Sequence, residues 1–106
     1  MEYPYVVVLV TTANREEAEK IAHHLLDEKL IACANVIGPV FSLFWWTGKI
    51  EEAEEHIVLM KSRIDLFEKL SEIVKALHSY EVPEIIALPI AKGSEDYLKW
   101  LDNCLR

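Results

Sequence analysis

The chain has 106 residues, of which 52% are apolar and 27% charged, a profile that fits one folded domain and excludes a disordered segment. Its 18 acidic and 11 basic residues give a net charge of −7, which opposes approach to nucleic acids and anionic membranes. The longest apolar runs, Tyr3–Val10 and Ile85–Ala91, fall well short of the roughly 20 residues that span a bilayer.

Tyr5 to Thr12 reads Tyr-Val-Val-Val-Leu-Val-Thr-Thr, a β-branched run too poor in helix formers to be anything but a strand. Nothing before it has the basic and apolar regions of an export signal, so a cytoplasmic location is the expectation. Asn14 with Glu17 forms a capping box, and Ala18, Ile21, Ala22, Leu25 and Leu26 recur at helical spacing, predicting a helix over about residues 14–29. Ile31 to Val36 is again strand-like, Gly38-Pro39 breaks or bulges it, and Val40 to Trp46 resumes it with aromatic residues. Thr47-Gly48-Lys49 is a hairpin turn, with Gly48 free to take positive φ, and a second arm runs from Lys49 to about Ser62. Glu51, Glu52, Glu54 and Glu55 make the start of that arm acidic, as expected of a solvent-facing segment or sheet edge.

Asp65 with Glu68 reads as a second capping box, followed by the stripe Leu66, Leu70, Ile73, Val74 and Leu77, so a second helix ends near His78. Val82-Pro83 disfavours further helix. Glu84 to Ile90 is the last strand, and Pro89 suggests an edge or bulged position. Gly93-Ser94 opens a short terminal helix carrying Leu98, Leu101 and Leu105 on one side. Cys33 and Cys104 lack any Cys-x-x-Cys spacing and read as reduced thiols.

The order is βαββαβ plus a terminal helix, with no linker between the halves, so residues 1–106 form a single domain. This is the pattern of an α+β ferredoxin-like sandwich, one antiparallel sheet with two helices on one face. The other face would be bare in a monomer. Phe41, Leu43, Phe44, Trp45, Trp46, Ile57, Val58 and Leu59 cannot all lie under two helices, which predicts a homo-oligomer built through the sheet.

Four segments, Ile31-Ala32-Cys33-Ala34-Asn35, Trp45-Trp46-Thr47-Gly48-Lys49-Ile50-Glu51, His78-Ser79-Tyr80-Glu81-Val82-Pro83-Glu84 and Tyr97-Leu98-Lys99-Trp100-Leu101, resemble the CutA family of divalent-cation tolerance proteins in content, order and spacing. The resemblance covers Val6 to the C-terminus. It implies a homotrimer of ferredoxin-like subunits, similar in architecture to PII signalling proteins, and a copper-binding role ascribed to bacterial members. The chain departs from the family pattern in having Ser79 where His-Pro-Tyr is usual. Val10 and Leu77 stand where some bacterial members have a cysteine and a second histidine, so His78 alone remains of that ligand set.

His78-Ser79-Tyr80-Glu81-Val82-Pro83-Glu84 is also where candidate ligands and proton carriers are densest, at a helix-to-strand joint. His78 could bind Cu(II) or Zn(II), with Glu81 assisting at i+3, or could serve only to complement the helix C-terminus. Cys33 could be a soft Cu(I) ligand, or a small apolar residue in a strand that the resemblance places near an inter-subunit cleft. Lys61, Tyr80 and Glu84 could converge on a small anion or transfer a proton, or Lys61 and Glu84 could form an ion pair between strands. No nucleophile-base-orienter set or Gly-rich phosphate loop occurs, which points away from an enzyme and from an organic cofactor. A trimeric binder of copper or another divalent cation is the first expectation. A PII-like small-molecule sensor or interaction scaffold is the alternative.

Overall fold

The computed structural model describes residues 2–106. Strand β1 (Tyr5–Thr12) leads into helix α1 (Arg15–Asp27), then the long arms β2 (Cys33–Trp46) and β3 (Lys49–Arg63). A 3-10 turn (Ile64–Leu66), helix α2 (Phe67–Leu77), strand β4 (Ile85–Pro89) and helix α3 (Glu95–Cys104) complete the chain. The four strands form one antiparallel sheet in the order β2-β3-β1-β4. The expected α+β ferredoxin-like sandwich with an added terminal helix is the fold observed.

Strict alternation along β1 buries Val6, Val8, Val10 and Thr12 on one face. They meet Ala18, Ile21, Ala22 and Leu25 of α1, Leu70 and Val74 of α2, and Val58 and Met60 of β3, which together form the core. The period-2 strands and period-3.6 helices thus bury the same face, as their patterns require. α3 lies on the opposite face at one end of the sheet. There Asp102 accepts from Arg63 at 3.1 Å and Tyr97 meets Cys33 at 3.6 Å, both partners lying on the strand parity opposite Ser62 and Ala34.

The β2–β3 hairpin outruns the rest of the sheet. β1 pairs with β3 only as far as Thr12 opposite His56, so residues 49–55 of β3 extend past the core with β2 as their one strand neighbour. This draws the subunit out to 44 Å in its longest dimension, against 26 and 23 Å in the others. The Gly38-Pro39 break is a bulge inside one continuous strand, the register shifting between Ile37 opposite Ile57 and Val40 opposite Glu55. Gly38 is required there because a Cβ would lie 2.6 Å from the His56 ring. The hairpin turn is the two-residue loop Thr47-Gly48 with φ of 47° and 81°, and Lys49 already belongs to β3.

Two local expectations are corrected. Asp65 does not cap α2: Arg63 holds its carboxylate at 2.7 Å, and the chain enters α2 through the 3-10 turn with no side-chain cap. Glu55 is not a solvent-facing acid like its neighbours, being only 6% exposed. It shares strand parity with Ala53 and Ile57, the sheet face away from α1 and α2, and the Tyr80 hydroxyl covers it there.

Candidate functional site

α2 stops at His78, whose backbone turns to an extended ψ of 143° while its N–H still closes onto Val74 O. This places the imidazole against the end of β1 with its side chain fully buried. The Tyr80 amide donates to Nδ1 at 3.0 Å, so Nδ1 is an acceptor, and Nε2 carries the hydrogen it gives to Thr11 O at 2.7 Å. Both ring nitrogens are therefore occupied. Its ring leans on Tyr80 with centroids 4.7 Å apart.

The next contact comes from α1. Asn14 Oδ1 accepts from the Glu17 amide at 2.8 Å, and Glu17 Oε1 accepts from the Ala13 amide at 3.0 Å, a capping box reaching one residue beyond the cap. Glu17 Oε2 then accepts from the Ser79 amide at 2.8 Å, tying the loop to the helix. Burial pushes the Glu17 carboxyl up, but the Ala13 and Ser79 donors outweigh it, leaving the pKa below its ordinary value.

Tyr80 points into a groove between the loop and the hairpin. Its hydroxyl donates to Glu55 Oε2 at 2.7 Å. Burial and the Glu55 carboxylate raise its pKa well above the ordinary range, so it stays a protonated donor. The groove encloses about 690 Å³ and is lined on one side by Tyr80, Glu81, Val82 and Glu84 and on the other by side chains of both hairpin arms.

Lys61 is elsewhere. Its Nζ donates to Asn35 Oδ1 at 2.7 Å, and it sits opposite Cys33, whose Sγ lies 3.6 Å from Tyr97 Oη. Bonding to Cys33 and burial raise the Tyr97 pKa. Lys61 pairs with Val7 while His78 reaches Thr11, four positions further along β1, a separation of roughly 13 Å at 3.3 Å per residue.

The proposed ligand set is thus dispersed within one subunit. His78 has both nitrogens engaged by backbone groups of its own chain. Glu81 lies exposed in the groove, and Cys33 belongs to the cluster at the other end of β1. Among the described residues, no three His, Cys, Asp or Glu side chains stand close enough to hold a metal ion. Of the predicted pocket, Tyr80 and Glu84 share the groove but Lys61 does not, so the anion site drawn from all three is corrected. Nor does Lys61 pair with Glu84. Sequence reasoning missed Glu55 and the second bond of Glu17. The parity of Glu55 with Ile57 was the one available signal.

The family model of the CutA1 divalent ion tolerance protein matches residues 6–104. Protein CutA, chloroplastic, of Arabidopsis thaliana is 46% identical over 97% of this chain, which spans 57% of that relative. The rice relative is likewise spanned over 58% of its length. The divalent-cation tolerance protein CutA of Thermus thermophilus is 47% identical over 90% of this chain and 92% of its own. Among solved structures, CutA1 from Oryza sativa superposes with a TM-score of 0.94 at 42% identity, covering 100% of this chain and 98% of the other. The CutA of Archaeoglobus fulgidus, described as periplasmic, gives 0.93 at 42% identity over 96% and 99%. These relatives correct the cytoplasmic expectation, since one is named chloroplastic and another periplasmic; the shared fold carries no single cellular address. By the match across nearly its whole length, the chain belongs to the CutA1 divalent ion tolerance family.

Proposed function

We propose that the chain acts as a homotrimer that binds copper or another divalent cation with low affinity, and that it is a binding protein rather than an enzyme. The observation that carries this reading is the projecting hairpin, on which Phe41, Trp45 and Ile50 are 66%, 72% and 59% exposed. Apolar surface of that extent on a small subunit calls for a partner, and a symmetric assembly brings copies of each dispersed ligand together. The family name, divalent ion tolerance, supplies the cation. Cys33 offers a thiolate suited to Cu(I), and Glu81 a carboxylate in the groove.

Titration of the purified oligomer with copper under reducing and oxidising conditions tests this. Saturable binding is expected, weakened about tenfold or more by Cys33→Ser or Glu81→Gln. His78→Ala should leave copper binding nearly unchanged while costing about 1–3 kcal/mol of stability through the orphaned Thr11 carbonyl and Tyr80 amide. Copper binding abolished by His78→Ala alone, in a folded oligomer, would return the metal to the imidazole.

A further inference from the structure

We propose that the groove between residues 80–84 and the hairpin binds a small organic ammonium, a cation carried on an apolar or aromatic body. The inference does not depend on copper and uses Glu55, a residue outside the metal reading.

Glu51, Glu52, Glu55, Glu81 and Glu84 all line the groove, and no lysine or arginine does. Four of these acids are half-buried or exposed. Glu55 differs, being 6% exposed, with the neutral Tyr80 hydroxyl as its single hydrogen-bond partner on Oε2. Oε1 accepts no hydrogen bond, and among the described residues no cation pairs with the carboxylate. Since no side-chain oxygen among the described residues is both buried and without a partner, Oε1 is the part of Glu55 that stays open to solvent, and no cation meets it. An ammonium entering from the groove would complete the pair, with Tyr80 holding Glu55 in the receiving orientation.

The walls decide what kind of cation. Leu43, Phe44, Trp46 and Val82 give the groove extended apolar and aromatic surface, which attracts a cation's face and the body that bears it. A volume of about 690 Å³ lies within the range of small-molecule sites. A bare metal ion would fill little of it, and the carboxylates do not converge on one point.

The test uses the purified full chain in its native oligomer at low ionic strength, with 2-phenylethylammonium as probe. The neutral 2-phenylethanol and the anionic 3-phenylpropanoate serve as shape-matched controls. Binding is followed by tryptophan fluorescence and calorimetry. Saturable binding of the ammonium is expected, with the alcohol at least about tenfold weaker and the carboxylate not binding. Glu55→Gln keeps the shape and an acceptor for Tyr80, and should weaken the ammonium about tenfold or more. Should that variant fail to fold, Trp46→Leu, at an exposed position, should weaken the ammonium and leave the fold intact. No saturable binding, an alcohol as tight as the ammonium, or affinity unchanged in whichever variant folds would overturn the proposal.

Discussion

Glu17 does with two oxygens what three separate residues could have done: it closes the N-terminus of α1, receives the Ser79 amide and sits 4.0 Å from His78 Nδ1. Its folded pKa is lowered, so its contribution to stability is fully present above the unfolded carboxylate range and is lost as pH falls through the folded value. Glu17→Gln should cost about 1–2 kcal/mol at neutral pH and flatten the acid side of the stability profile, measured by urea unfolding from pH 7 to pH 3. A profile as steep as the parent's would assign the acid sensitivity to other carboxylates. Ser79 belongs to the same device, because a proline at this position would have no N–H to give Glu17. Residues 78–84 were legible as the place where polar groups gather. Their partners were not, since Thr11, Glu17 and Glu55 lie 67, 62 and 25 positions away from the residues they bind. Of the two nitrogens of His78, Nδ1 is taken by the Tyr80 amide two residues on and Nε2 by the distant Thr11 carbonyl, and only the first of these contacts lies within the motif.

At the level of elements, periodicity carried most of the fold. β1 runs from Tyr5 to Thr12 as its apolar run does, and Asn14 and Ser94 cap α1 and α3 with their own side chains. Asp65 misled because a capping motif specifies a local option, and the neighbouring Arg63 offered the carboxylate a charged, bidentate alternative at 2.7 and 3.3 Å. Gly38-Pro39 marked a real irregularity, but whether it ends a strand or bulges it depends on the partner arm, which the segment alone does not contain. The turn is the least comfortable point of the hairpin: Thr47, β-branched, is held at a φ of 47°. Thr47→Asn should stabilise the fold by about 0.5–1 kcal/mol, because Asn-Gly is the preferred pair for this two-residue turn. A chemical-denaturation midpoint lower than the parent's would contradict that. The gain should appear as slower unfolding if the hairpin closes late.

On the scale of the whole molecule, the subunit reads as an incomplete object. One sheet face is sealed by α1 and α2, while on the other Ile86 and Leu88 of β4 remain 45% and 47% exposed beyond the reach of α3. The hairpin adds Phe41, Trp45 and Ile50, each worth about 1.5–3 kcal/mol when fully buried. The alternation that exposes these residues was visible in the sequence, and the expectation of a partner rests on it. The proposed threefold symmetry rests on the resemblance, since nothing in composition or spacing distinguishes a dimer from a trimer. Trp45→Lys combined with Ile50→Lys should shift the chain toward monomer and lower its thermal midpoint, while retaining the circular dichroism of the αβ fold. If copper ligands come from different subunits, the same double variant should lose saturable copper binding with Cys33 and Glu81 intact.

The mass of the native chain in solution tests the assembly most directly, by sedimentation equilibrium across micromolar concentrations with chelator present to remove any metal. A single species at three times the 12.2 kDa subunit mass is the predicted result. A monomer at those concentrations, with hairpin and sheet face both exposed to water, would contradict the trimer and remove the means by which its dispersed ligands could meet.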